Sequence, residues 1–311
     1  MKKFLLFTLT LVLALSFTGC GENSSVYTVG ICEYTDHAAQ SEVVKGFTDY
    51  LNEKMGSEVK FNIQNAANDS SLASTIINTF VSNDVDLILA DNTQSLQIAA
   101  NTTFDTPILG AAITDYTSAL NMSPDGINVS GTSDLAPLDV QSEMITELFP
   151  EADTVGLIYC SSEVNSLYQV NAVQEYLSLK GINAKEYSFS DANDLPLVLE
   201  KATDEVDVIY LPTDNTLASC IETVNNICLE KKVPIITGEE GMCRVAGVAT
   251  ISIDYYALGR KTGEMAYRVL KEGADVSNMP VEYSENVTKL YNKEICDEFG
   301  IEIPEDYIEI K

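Results

Sequence analysis

Two short polar clusters in this chain have residue types suited to holding a small charged molecule, and they sit in matched surroundings. Asp91-Asn92-Thr93 follows the apolar run 85–90, and Asp214-Asn215-Thr216 follows the apolar run 206–211. A hydroxyl beside free backbone N–H groups can hold a carboxylate, which makes Thr93 and Thr114 candidate donors. Asp214 and Glu239 also follow apolar runs and are candidate acceptors for an ammonium, and Asp115 lies beside Thr114. Asn165 and Asn215 supply amides, and Tyr34, His37 and Tyr116 supply rings for an apolar wall. Donors facing carboxylates suit a zwitterion. Plainer roles compete at each position. Thr93, Thr114 and Asp214 read equally well as helix N-caps, the two asparagines as caps or turn formers, and His37 as a capped or solvated ring. Asp254 reads better as the cap of a helix beginning at Tyr256. Glu239 and Glu240 precede a glycine with no evident helix to serve, which strengthens a ligand role for Glu239.

The elements that must position these residues alternate regularly. Uninterrupted apolar runs bounded by turn residues suit strands buried on both faces, hence central strands of parallel sheets. Strands are predicted over 26–34, 58–66, 87–90 and 107–113, with helices over 38–55, 70–82 and 94–102. The pattern restarts with helices over 138–149, 166–180, 194–204 and 217–230 between strands over 154–160, 183–189, 208–211 and 234–237. A strand over 248–254 and a long helix over 256–272, stopped by Gly273, follow. The fold class is α/β, with two doubly wound parallel-sheet lobes joined by a multi-strand hinge. Residues 26–122 with about 255–280 are expected to form the first lobe. Residues 123–254 with about 281–311 are expected to form the second. A Gly/Asn/Ser-rich passage with a short strand over 127–131 reads as a crossing. Other crossings are expected near 246–254 and 279–286, and such hinges let lobes close over a ligand.

The N-terminus reads as an address. Lys2 and Lys3 precede an apolar stretch over 4–17, then Thr18-Gly19-Cys20, with Phe17 where lipoprotein signals usually carry Leu. The expectation is a signal peptide over 1–19, lipidation of Cys20 and a polar tether over 20–25. An ordinary secretory signal is the alternative, and either places the protein outside the cytoplasm. The formal net charge of −29 repels phosphate backbones, so no nucleic-acid partner is expected. Cys32, Cys160, Cys220, Cys228, Cys243 and Cys296 match no metal spacing, and His37 is the single histidine, so no metal is expected. Those cysteines read as small core residues, with one disulfide among them left open. No nucleophile elbow, phosphate-cradling loop or Cys–His pairing is present, so neither an enzyme nor a cofactor is expected.

Five motifs occur in order: Gly30-Ile-Cys32 with His37 downstream, Gly131-Thr-Ser-Asp134, Ser162-Glu-Val-Asn-Ser166, Pro212-Thr-Asp-Asn215 and Ile253-Asp-Tyr-Tyr-Ala-Leu-Gly259. None is specific alone. Together they make the mature chain resemble the substrate-binding lipoproteins of ABC importers, in the branch that binds tryptophan or tyrosine. The resemblance implies a type I periplasmic-binding-protein fold. It also implies capture of a free amino acid by cleft closure, with permease and ATPase subunits as partners and a lipid anchor in the membrane. His37-Ala38 stands where this family commonly has His-Pro, and Ala-Asp-Asn-Thr where Ala-Thr-Pro is common. Both lie at the expected cleft edge and leave another small zwitterion or a nucleoside open as the ligand. The chain has 15 Tyr and 10 Phe but no Trp, which tilts the aromatic choice toward tryptophan, then tyrosine or phenylalanine. A sensor or co-receptor of the same fold is the alternative function, and gene neighbourhood would separate the two.

Overall fold

The computed structural model describes residues 26–311 except Asp36, Glu285 and Asn286. The expected signal, lipidation site and tether lie outside the described residues. The first part of the chain forms β1 (Tyr27–Glu33), α1 (Ala38–Met55), β2 (Val59–Asn65), α2 (Ser70–Ser82) and β3 (Leu87–Asp91). It continues through α3 (Thr93–Thr102), β4 (Ile108–Ala111), α4 (Tyr116–Leu120) and β5 (Val129–Ser133). A second series follows: α5 (Leu138–Leu148), β6 (Thr154–Cys160), α6 (Val164–Leu179), β7 (Asn183–Phe189), α7 (Leu195–Thr203) and β8 (Val208–Leu211). It ends with α8 (Asn215–Ser219), α9 (Ile221–Lys231), β9 (Ile235–Thr237), α10 (Glu240–Val245) and β10 (Ala249–Ile253). The tail comprises α11 (Tyr255–Glu272), β11 (Glu282–Tyr283), β12 (Val287–Tyr291), α12 (Lys293–Phe299) and β13 (Ile308–Glu309).

Among the described residues these strands make two sheets, ordered β11-β5-β4-β3-β1-β2 and β13-β12-β10-β9-β8-β6-β7. The first is parallel throughout, and the second turns antiparallel where β12 joins β10. β3 and β8 are buried along their whole length, as their unbroken apolar runs require. Each sheet has a core on both faces. In the first, Val29, Leu87 and Leu89 pack under α1 and α11, while Ile88 and Ala90 share the other core with Phe80 of α2 and Leu96 of α3. The six described cysteines are free; five are buried and Cys220 is half-buried.

Three points differ from the expected layout. The strand expected to cross between lobes is β5, which pairs with β4 in the first sheet, Ile108 opposite Val129. Gly131, at φ 141°, makes this close approach possible, because a Cβ there would strike the Gly110 carbonyl and the Tyr116 hydroxyl. The first passage between sheets therefore comes after Ser133, not at residue 123. β11 also stays in the first sheet beside β5, held by ion pairs from Arg268 (2.6 Å) and Lys261 (3.6 Å) to Glu282. Finally, the helix expected over 217–230 is two, broken at Cys220. Among the described residues the chain thus passes between sheets three times: between β5 and α5, between β10 and α11, and between β11 and β12.

Candidate functional site

The carboxyl edges of the two sheets face each other across a narrow cleft. A cavity of about 20 Å³ lies there, room for roughly one water. The first lobe lines it with His37, Gln40, Asn92, Thr93, Thr114 and Asp134, and the second with Asn165, Thr213 and Asn215. Tyr255, the first residue of α11, closes one side. Among the described residues one side-chain hydrogen bond joins the lobes here, from Gln40 Nε2 to Asn215 Oδ1 at 2.8 Å.

Several polar atoms around this cavity lack a partner among the described residues: Gln40 Oε1, Asn165 Oδ1 and Asn92 Nδ2. Their residues are 6%, 5% and 2% exposed, so bulk solvent scarcely reaches them. Such orphans are uncommon in native interiors and cost about 1–3 kcal/mol each. The surrounding network dictates which end of each amide is left over. Asn92 uses Oδ1 to cap α3 through Ser95 N (3.1 Å), so its amino group remains as a donor. Asn165 gives Nδ2 to Thr213 O (3.1 Å) and Glu163 Oε2 (3.2 Å), leaving Oδ1 as an acceptor. Gln40 gives Nε2 to Asn215, leaving Oε1 as another acceptor. His37 caps α1 by accepting Ala39 N at Nδ1 (3.1 Å), so a neutral ring carries its proton on Nε2.

The backbone is strained at the same place. Asn92 has φ 102° and ψ 172°, a region used almost only by glycine, and Ala112 has φ 53°. The electrostatics are acidic. Burial pushes the Asp134 carboxyl up to about 6, against the pull of hydrogen bonds from Thr114 Oγ1 (3.1 Å) and Tyr255 OH (3.4 Å). Asp91, at the end of β3, is fully buried with neither oxygen partnered among the described residues. Burial first, then the charges of Glu33 and Asp134, holds its carboxyl well above the usual carboxylate range.

Of the residues singled out from sequence, His37, Thr93, Thr114, Asn165 and Asn215 meet at this cavity. The others do not line it. Tyr34 is buried, its hydroxyl on Ser70 Oγ (2.8 Å), and Tyr116 lies under β4 and β5 with its hydroxyl on Gly110 O (2.9 Å) and Thr132 O (3.2 Å). Asp115 caps α4 through Ser118 N (2.6 Å), and Asp254 caps α11 through Ala257 N (2.8 Å). Asp214 spends both oxygens on backbone, Leu217 N and Cys160 N at 2.8 Å each, and burial followed by the charge of Glu163 raises its carboxyl above the ordinary value. Glu239 does have a helix to serve: it caps α10 by accepting Gly241 N and Met242 N. With six residues including Gly241, α10 is too short to register as a periodic pattern. Gln40, Asn92, Asp134, Thr213 and Tyr255, with Ala39 and Ala112, complete the lining without having been named as contacts. Asn92 stood in the first polar cluster and Asp134, Thr213 and Tyr255 in quoted motifs, whereas Gln40 offers no signal beyond following a cap.

A larger cavity, about 580 Å³, lies between α1, α10 and β12, and Ala39 and Tyr255 border both. Its polar groups are already matched: Glu240 with Arg244 (2.6 Å) and Ser252 (3.1 Å), Glu239 and Asp254 with helix N–H groups. Unmet hydrogen bonds mark a ligand site better than volume does, so the smaller cavity is the candidate.

The fold and cleft have close relatives. At 35% identity over 301 residues, the chain is similar to a tyrosine-binding protein of Clostridioides difficile strain R20291, covering 90% of this chain and 87% of that one. A crystal structure from Streptococcus pneumonia in complex with L-Trp superposes with a TM-score of 0.87 at 34% identity, over 90% of this chain and 97% of that chain. The ligand-free, open structure of a Clostridium difficile substrate-binding protein with adhesive properties gives 0.71 at 36% identity, over 92% and 100%. The family of ABC transporter substrate binding proteins matches residues 28–309. That match takes in both sheets, all three passages between them and every residue that lines the cleft, and the chain therefore belongs to the ABC transporter substrate-binding protein family.

Proposed function

We propose that this substrate-binding protein captures one free aromatic α-amino acid between its lobes and delivers it to a membrane permease and ATPase. The observation that carries this reading is the polarity of the unpaired atoms. Gln40 Oε1 and Asn165 Oδ1, with the Asp134 carboxylate, offer acceptors for an ammonium. Asn92 Nδ2 and Thr93 offer donors for a carboxylate at the N-terminus of α3, where the helix dipole adds to their pull. A sugar would need no such separation of donors from acceptors. The larger cavity past Ala39 and Tyr255 has room for an aromatic side chain once the lobes part. Relatives named for tyrosine or solved with L-Trp support the aromatic choice.

Substrate-binding proteins of this family work outside the cytoplasm, and no helix among the described residues is long and apolar enough to cross a membrane. Attachment is assigned to a lipid on Cys20 after removal of residues 1–19. Cell fractionation of Cys20→Ala tests it: protein that stays with the membrane contradicts the anchor. A thermal-shift screen of the twenty amino acids and common nucleosides tests the ligand. A ligand specific to the folded state stabilises by about 2.7 kcal/mol at a hundredfold excess over its Kd. Shifts with L-tryptophan or L-tyrosine are expected; a shift with a nucleoside or sugar and none with any aromatic amino acid overturns the reading.

A further inference from the structure

Glu163 does not line the cavity, yet it decides what the cavity offers. It is 2% exposed and stands just before α6, where its side chain makes no capping bond to its own helix. Instead it reaches the first two residues of α8. Oε2 accepts from Asn215 N (2.9 Å), Asn215 Nδ2 (2.8 Å) and Asn165 Nδ2 (3.2 Å), and Oε1 accepts from Thr216 N (2.9 Å) and Thr216 Oγ1 (2.7 Å). All five partners are donors, as an ionised carboxylate demands.

That demand propagates. Asn215 must turn its amino group to Glu163, so its Oδ1 faces the other lobe and accepts from Gln40 Nε2. Gln40 is thereby left with Oε1 unpaired among the described residues. The same carboxylate helps hold the Asn165 amino group, leaving Asn165 Oδ1 unpaired, although Thr213 O shares that task. Two cavity acceptors, one from each lobe, owe their polarity to one buried carboxylate.

We infer that Glu163 is a positioning residue that makes the site select an ammonium, by fixing the Asn215 and Gln40 amides so that an acceptor faces the ligand. This rests on the reading of the ligand as an α-amino acid. Replacement by glutamine inverts the relay. The amino group of the introduced side chain would face Asn215, whose amide rotates to present Oδ1. Gln40 then rotates in turn, and Nε2 points into the cavity. A donor there suits a carbonyl oxygen and repels an ammonium.

The test compares each amino acid with its α-keto acid by calorimetry in wild type and Glu163→Gln: L-tyrosine against 4-hydroxyphenylpyruvate, and L-tryptophan against indole-3-pyruvate. The variant is expected to lower the amino-acid to keto-acid affinity ratio at least tenfold, with the keto acid binding more tightly than it does to wild type. An equal loss for both ligands, or an unchanged ratio, overturns the inference. Because the substitution also strips a backbone N–H in the 215–216 turn of its acceptor, stability falls in any case and does not bear on the proposal. Should Glu163→Gln fail to fold, Asn215→Ala cuts the relay between Glu163 and Gln40 and is expected to lower the same ratio; an unchanged ratio there overturns it too. In the ligand-free protein, the NMR shifts of the Asn215 and Gln40 side-chain amide protons should change between wild type and Glu163→Gln. The Asn215 amino group trades Glu163 for Gln40 as its partner, and the Gln40 amino group turns to the cavity; unchanged shifts overturn the relay. That readout needs no ligand, so wild type that binds neither amino acid while showing this difference sinks the ligand reading and spares the relay.

Discussion

Asn92 carries two opposed demands. Its side chain caps α3 and presents an amino group to the cavity, while its backbone sits at φ 102°, where a non-glycine residue costs on the order of 1–3 kcal/mol. Exchanging an asparagine cap for glycine costs only a few tenths of a kcal/mol. Asn92→Gly should therefore raise the melting temperature of the ligand-free protein while weakening amino-acid binding several-fold. A variant that is less stable and binds unchanged would contradict the role. Asp134 makes the matching case by pH. Its carboxyl is raised to about 6 from an ordinary 3.8, so the folded state holds that proton more tightly than the unfolded chain. The contribution to stability is complete below the ordinary value and is lost as pH rises to about 6. A ligand ammonium needs the ionised form, so binding should strengthen between pH 5 and 7 as stability of the ligand-free protein declines. Calorimetry at both pH values checks this, and Asp134→Asn should flatten both dependences.

At the scale of elements, the site depends on how α11 returns to the first lobe. α1 and α11 cross so closely that a Cβ on Gly259 would strike the Val43 carbonyl, and one on Gly46 the Tyr256 carbonyl. That crossing sets Tyr255 beside Ala39 and Gln40 at the cavity. In an open helix, Gly→Ala would gain about 1 kcal/mol of propensity. Here backbone overlap outweighs it, with a net loss of about 2 kcal/mol expected for Gly259→Ala. Denaturant unfolding measures the loss. A stabilised variant would mean that the helices separate freely, and the close crossing would then not be what places Tyr255.

For the molecule as a whole, the 20 Å³ cavity admits no amino acid unless the lobes move. The fit is better to the L-Trp complex than to the open, ligand-free relative, at nearly equal identity, which supports reading this structure as a closed form. Three strand-to-element passages and the Gln40–Asn215 bond connect the lobes, while a formal net charge of −29 favours their separation. The free protein is expected to be more open in solution, with a radius of gyration that falls on saturation with L-tryptophan or L-tyrosine. Small-angle scattering reads this directly, and an unchanged radius at saturation counts against closure.

What was legible in the sequence was local. The buried runs of β3 and β8, the polar residues at their ends and the alternation of strand and helix follow from side chains that are chain neighbours, and they placed Thr93 at the carboxyl edge of one sheet and Asn215 at that of the other. Capping competed with ligand contact at Asp214 and Asp254, no helix was evident after Glu239, and only the structure showed an oxygen of each aimed at helix N–H groups. The lobe of β5 depended on pairing with β4 across a loop, which no local pattern encodes. The polarity of the cavity was still less visible. An amide has a donor and an acceptor end of nearly equal shape, and which end faces the cleft at Gln40 is decided by Glu163, a residue 123 positions away that acts through Asn215. Composition and periodicity determine which surfaces are buried; the direction of a hydrogen bond is determined by whatever tertiary contact is brought to its other end.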